Sequence, residues 1–117
     1  MRLTDQQRGF DVDVVSIGSA VVVVATGEVD IATAPQLHEA LEHARAQYAG
    51  DLVIDLSRVE FFDSTGVNVL LTAAKTADTP LRLVPSYPVR RPLEATGLTT
   101  VFELYDSLDD AIAAGQG

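Results

Sequence analysis

The chain has 117 residues, 47% of them hydrophobic, which is enough for one globular domain whose core needs no staple. It contains no cysteine, so disulfide frameworks and thiolate chemistry are excluded, as suits a reducing cytosol. A formal net charge of -9 argues against nucleic acid or an anionic membrane surface as partner and suits a basic protein partner or plain solubility. The longest apolar run, Ala20 to Ala25, is strand-sized and far below the ~18 residues of a membrane span, and the N-terminus lacks a secretory signature. The expectation is a single free-standing cytoplasmic domain over residues 1–117, with an ordered core over 10–113.

Met1 to Gly9 is polar and aperiodic, a loose terminus. Phe10 to Val14 alternates apolar with acidic residues and predicts a half-exposed edge strand guarded by Asp11 and Asp13. After a Gly18-Ser19 turn signal, the β-branched run Val21 to Ala25 predicts a buried strand, paired with the first as an antiparallel hairpin and closed by Gly27-Glu28-Val29-Asp30. Thr33 is the expected N-cap of a helix, with Gln36 in the capping-box position and Pro35 in the first turn. Leu37, Ala40, Leu41, Ala44 and Tyr48 form its apolar face, and Gly50 ends it. Leu52 to Leu56 predicts a strand reached by a parallel crossover.

A second helix is expected from about Ser64 to Asp78, burying Val67, Leu70, Leu71, Ala74 and Ala77 and broken by Thr79-Pro80. Leu81 to Val84 is a further strand, Pro85 to Pro88 a turn, and Val89 to Thr96 a short helix stopped by Gly97. Val101 to Leu104 is a last strand, and Ser107, with Asp110 three residues on, opens a final helix. The sum, β-β-α-β-α-β-α-β-α, predicts an α/β fold: an N-terminal hairpin followed by βα units, with helices packed on a mixed sheet.

The stretch with chemical potential is Val59 to Leu71, where a buried strand passes through Asp63-Ser64-Thr65-Gly66 into a helix. A turn opening a helix leaves backbone N–H groups without partners and a partial positive charge. A hydroxyl there can cap the helix, act as a nucleophile, or accept a phosphoryl group. The nucleophile reading lacks support, because only half of the Gly-x-Ser-x-Gly elbow is present and the only histidines, His38 and His43, fall on the outward side of the first helix. A phosphoaspartate receiver is a nearer alternative, with Asp55 ending a buried strand. It needs an acidic pair after a first parallel strand and a late lysine, neither of which is present, so Asp55 reads as a turn residue. No metal-ligand spacing and no Gly-rich phosphate loop occurs, so no cofactor is expected. Capping needs one oxygen, and Asp63, Ser64 and Thr65 supply three in a row, which leaves capping and phosphoacceptance both open on residues alone.

Asp63-Ser64-Thr65-Gly66-Val67 with Val69-Leu70-Leu71 resembles the Asp-Ser-Ser/Thr-Gly-Leu signature of STAS domains, the anti-sigma factor antagonists. Gly27-Glu28-Val29-Asp30 resembles the family's Gly-Glu-Leu-Asp turn, and Pro88 to Leu93 with Thr96-Gly97-Leu98 resembles its third-helix segment. Three elements in register extend the resemblance from Phe10 to Ala113. Asn68 departs from it, since many members carry glycine there.

The resemblance implies a non-enzymatic switch. An unmodified antagonist binds an anti-sigma factor that is also a serine kinase and so frees the sigma factor. Phosphorylation of the serine separates the partners, and a PP2C-type phosphatase resets it. By position, Ser64 is the acceptor and Thr65 the second choice. Asp63 is the acidic neighbour, Gly66 lets the turn approach a partner, Asn68 belongs to the docking surface, and Asp30 lies on the loop beside the acceptor. A STAS domain serving as a scaffold or transporter accessory, without sigma-factor output, is the alternative.

Overall fold

The computed structural model describes residues 9–48 and 51–115, so the expected loose terminus before Gly9 and the helix stop at Gly50 lie outside the described residues. Five strands, β1 (Phe10–Ile17), β2 (Ala20–Val29), β3 (Asp51–Phe62), β4 (Arg82–Pro85) and β5 (Glu103–Leu104), form one sheet in sequence order. β1 and β2 are antiparallel, and each later pair is parallel. The connections run through α1 (Ala34–Gln47), α2 (Ser64–Lys75) and α3 (Tyr87–Ala95), and α4 (Leu108–Ala114) follows the last strand.

The hairpin is longer than the alternation alone predicts. Its ladder runs to Ile17 opposite Ala20, because Gly18 takes φ 60° and closes a two-residue turn. The uninterrupted run Val21 to Val24 is apolar because both sheet faces are covered. Val21, Val23, Ile54, Leu56 and Leu83 face Leu37 and Leu41 of α1, Leu70 of α2 and Leu93 of α3. Val22, Val53 and Val84 point the other way, under Ala111 of α4. Successive strand residues alternate faces, so a strand covered on both sides loses its polar positions.

β3 is far longer than the expected Leu52–Leu56. It runs on to Phe62 because two irregularities, opposite Val24/Thr26 and Gly27/Glu28, absorb extra residues while pairing with β2 continues. Asp55 is therefore no turn residue. It lies within the strand, 7% exposed, and accepts hydrogen bonds from the Ser57 N–H at 3.0 Å and the Ser57 hydroxyl at 2.7 Å. A buried carboxylate persists only with such partners.

Several helix details also differ. Thr33 does not cap α1 with its side chain; its hydroxyl is engaged elsewhere, as described below. Tyr48 is 39% exposed, beyond the last helical turn, with its ring edge-on to His43. α2 stops at Lys75 rather than Asp78: the Thr76 and Ala77 N–H groups bond the Ala73 and Ala74 carbonyls in a tightened last turn, and Arg45 of α1 reaches across and donates to the Thr76 carbonyl at 2.9 Å and to the Thr76 hydroxyl. A cation at a helix C-terminus satisfies a carbonyl that has no donor within the helix, here one whose i+4 residue is Pro80. The core side of α2 is Gly66, Val67, Val69, Leu70 and Ala73, while Leu71, Ala74 and Ala77 are only partly buried; the helix packs on α1 as well as on the sheet, which turns Val69 and Ala73 inward. α3 begins at Tyr87, taking Pro88 into its first turn, where its missing N–H costs nothing. The last strand is shortened to Glu103–Leu104 by a 3-10 turn over Leu98–Thr100.

Candidate functional site

Parallel β2 and β3 end side by side, with Val29 opposite Phe62 and the Asp63 N–H bonded to the Val29 carbonyl at 3.4 Å. The chain leaves both strands at the same level. The loop starting at Asp30 and the turn starting at Asp63 are thus neighbours at the C-terminal edge of the sheet, where α/β folds commonly build their sites. The sequence places Asp30 and Ser64 far apart, and the crossover through α1 brings their loops together.

Asp63 is the N-cap of α2. Its backbone is extended (φ -112°, ψ -167°), and its Oδ1 accepts from the Thr65 N–H at 2.9 Å. Its carbonyl accepts from Gly66 and Val67. The Thr65 hydroxyl donates to the same Asp63 Oδ1. The capping role that sequence left open among these oxygens thus belongs to Asp63. Ser64, the first helical residue, is exposed, and its hydroxyl has no hydrogen-bond partner among the described residues. Asn68 is also exposed, one turn further along, at the i,i+4 spacing that sets it beside Ser64 on the helix surface.

Gly66 is buried behind the turn rather than at its rim. A Cβ there would sit 2.5 Å from Cε1 and 2.7 Å from Cζ of Phe62. The glycine lets α2 start directly over the Phe62 ring, so its contribution to any docking surface is the height of the turn, not a contact of its own.

The neighbouring loop is held from inside. Asp30 Oδ1 accepts from the Ala32 N–H at 2.9 Å and the Thr33 N–H at 3.1 Å. Thr33 is fully buried, accepts from the Asp30 N–H at 2.9 Å and donates to the Glu28 carbonyl at 2.8 Å. The Asp30 carbonyl accepts from Thr33 and Ala34, so Asp30 opens the turn that leads into α1. Thr33 does occupy the N-cap position expected of it, but its hydroxyl braces the preceding turn instead of capping the helix. A threonine three residues after an aspartate is the only local signal of this arrangement. At the other end of the same element, Gly27 has φ +103° and its Cα faces the Gly9 carbonyl so closely that a Cβ would lie 1.5 Å from that oxygen. No other residue fits there.

No group of three His, Asp or Glu side chains among the described residues converges as a metal site. His38 is half-buried and His43 exposed, both on α1, and neither is bonded to Ser64. No helix is long and apolar enough to cross a membrane among the described residues.

Comparison with known proteins agrees with this geometry. A family model described as "Mlab, STAS domain" matches residues 12–108. The chain is 34% identical over 103 residues to the anti-sigma-F factor antagonist RsfB of Mycobacterium tuberculosis, covering 86% of this chain and 84% of the relative. It is 36% identical over 86 residues to the anti-sigma-B factor antagonist of Listeria monocytogenes, covering 70% and 75%. The crystal structure of an anti-sigma factor antagonist from Mycobacterium paratuberculosis superposes with a TM-score of 0.86 at 36% identity, over 95% of this chain and 97% of that one. On these matches the chain belongs to the STAS-domain family of anti-sigma factor antagonists.

Proposed function

We propose that the chain is an anti-sigma factor antagonist switched at Ser64, acting in the cytoplasm as a binding protein without catalysis of its own. Unphosphorylated, it binds an anti-sigma factor that is also a serine kinase, and the sigma factor is released. The Ser64 Oγ then attacks the γ-phosphorus of ATP held by the kinase. The new O–P bond replaces the bond to ADP, and the hydroxyl proton passes to a base of the kinase. A PP2C-type phosphatase hydrolyses the ester and restores the binding form. Asp30, Asp63, Thr65 and Asn68 belong to the docking surface, with Gly66 shaping it from beneath.

The observation that carries this reading is the contrast between two adjacent hydroxyls. Thr65 donates to Asp63, whereas Ser64 is exposed and unbonded among the described residues. An acceptor must reach a visiting nucleotide, and Ser64 can do so without breaking the cap. Thr65 is correspondingly the poorer acceptor.

One phosphate suffices as a switch. It adds about -1.5 to -2 charges at neutral pH. The α2 N-terminus returns about 0.3–1 kcal/mol, so the domain stays folded. A carboxylate about 4 Å away opposes it by ~1 kcal/mol in water and ~4 kcal/mol at an effective dielectric of 20. Covering the dianion with a partner adds desolvation. A total of about 3–4 kcal/mol lowers affinity by two to three decades.

The test combines purified protein, ATP and the host's anti-sigma factor kinases. Intact-mass analysis should find one phosphoryl group, mapped to Ser64. Ser64→Ala should bind as tightly as the parent and Ser64→Asp far more weakly. Equal binding by both variants, with no phosphoryl transfer, refutes the switch and favours a scaffold or transporter-associated role.

A further inference from the structure

Two large apolar side chains stand bare where β2 and β3 run into the Asp30 and Asp63 turns. Ile31, next to Asp30, is 80% exposed, more than any other large hydrophobic residue among those described, and Phe61, just before Phe62 and Asp63, is 49% exposed. Neither position is an accident of a loose loop. Phe62 turns inward beneath Gly66, so strand alternation sends Phe61 outward. Ile31 lies between Asp30 and Ala32 in the turn that Asp30 Oδ1 and the buried Thr33 hydroxyl hold together. A side chain displayed on a braced turn loses little further freedom on binding, and such rigidity raises affinity. The exposed apolar residues of β1, Val15 and Ile17, are at the opposite end of the sheet, because β1 runs antiparallel and only its Phe10 end reaches Gly27.

The last stretches of β2 and β3 are predominantly acidic. Glu28 and Glu60 are exposed on the last stretches of β2 and β3, and Asp30 and Asp63 follow at the strand ends. The cation of these stretches is Arg58, opposite Thr26. Glu28, Glu60 and Asp63 against Arg58, with the two bare apolar groups, make a surface complementary to an apolar recess rimmed by lysine and arginine.

We infer that Ile31 and Phe61 are the apolar anchors of the switch-side docking surface, and that the partner receives them in an apolar recess with a basic rim. This deepens the proposed function and rests on it. It also gives the phosphate a second role: a dianion beside the anchors must be dehydrated together with them.

The test measures binding of purified variants to the anti-sigma factor kinase that phosphorylates the parent chain. Ile31→Ala and Phe61→Ala should each weaken binding about tenfold or more, chiefly through faster dissociation. The thermal midpoint of Ile31→Ala should be unchanged, since the side chain is already in water. Glu28→Gln with Glu60→Gln should slow association and flatten its salt dependence, leaving dissociation nearly unaltered. Ile31→Lys should bind more weakly than Ile31→Glu. Binding of Ile31→Ala within twofold of the parent overturns the anchor assignment, and the reverse order of the Lys and Glu variants overturns the basic rim. If the parent binds none of the host's anti-sigma factors, the proposed function itself fails. If the parent binds and is released by phosphorylation while Ile31→Ala behaves identically, only this inference fails.

Discussion

The Thr65 hydroxyl is bonded to the carboxylate of Asp63, the residue that caps its own helix. That single relationship separates two hydroxyls that are neighbours in sequence. One is part of the scaffold of the turn, and the other is left in solvent.

Phosphoryl incorporation should follow this division. Ser64→Ala should abolish it, and Thr65→Val should retain it while losing about 1 kcal/mol of stability with the hydroxyl's bond. Mass spectrometry of the two variants after incubation with kinase and ATP reads the first effect, and urea denaturation reads the second. Phosphoryl transfer to Thr65 in the Ser64→Ala protein, at the parent rate, contradicts the assignment.

Asp63 serves the helix and the switch at once. Asp63→Ala removes the cap bond to the Thr65 N–H and should cost about 1 kcal/mol. Asp63→Asn keeps an acceptor at the same place, so its stability should lie close to the parent's. With one carboxylate fewer beside the phosphate, phosphorylated Asp63→Asn should keep more of its affinity than the phosphorylated parent. Comparing the loss on phosphorylation in the two proteins isolates the contribution of the Asp63 charge; equal losses would show that this carboxylate adds nothing to the penalty.

Gly66→Ala should destabilise the fold by about 1–3 kcal/mol, because the added Cβ falls 2.5 Å from the Phe62 ring. Phe62→Leu, destabilising alone, should leave room for the new methyl. The double variant should then lose less than the sum of the singles. Strict additivity in a double-mutant cycle would show that the two residues do not share this space.

A control lies away from the switch. Arg45 ties the end of α1 to the end of α2 through the Thr76 carbonyl and hydroxyl, and it also pairs with Glu42 at 3.8 Å. Arg45→Met should lower stability by about 1 kcal/mol, the worth of the hydrogen bonds at a half-exposed site. Phosphorylation of Ser64 and affinity for the partner should be unchanged. A defect in either would mean that the packing of α1 on α2 is transmitted to the turn.

Sequence by itself determined the element order, the hairpin, the mixed sheet and the position of the Ser64 turn. Each rests on signals within a few residues: alternation in Phe10–Val14, the turn at Gly18-Ser19, the helical spacing of Leu37 and Leu41, the oxygen run at Asp63–Thr65. It misplaced what depends on partners distant along the chain. β3 outlasts its apolar run because β2 continues beside it, and the end of α2 is tied to α1 by Arg45, a contact no local signal announces. Thr33 sits at the expected N-cap position but its hydroxyl is taken by Glu28 and Asp30, and Gly66 looks like a surface glycine until Phe62 is seen beneath it. Tertiary structure alone decided which hydroxyl is free and that Ile31 and Phe61 remain uncovered, while the shared edge of the Asp30 and Asp63 turns follows the expectation from the resemblance. The physical reason is the same throughout. Propensity and periodicity are written in neighbouring residues, whereas hydrogen-bond ownership and burial are settled by competition among groups that only the folded chain brings together.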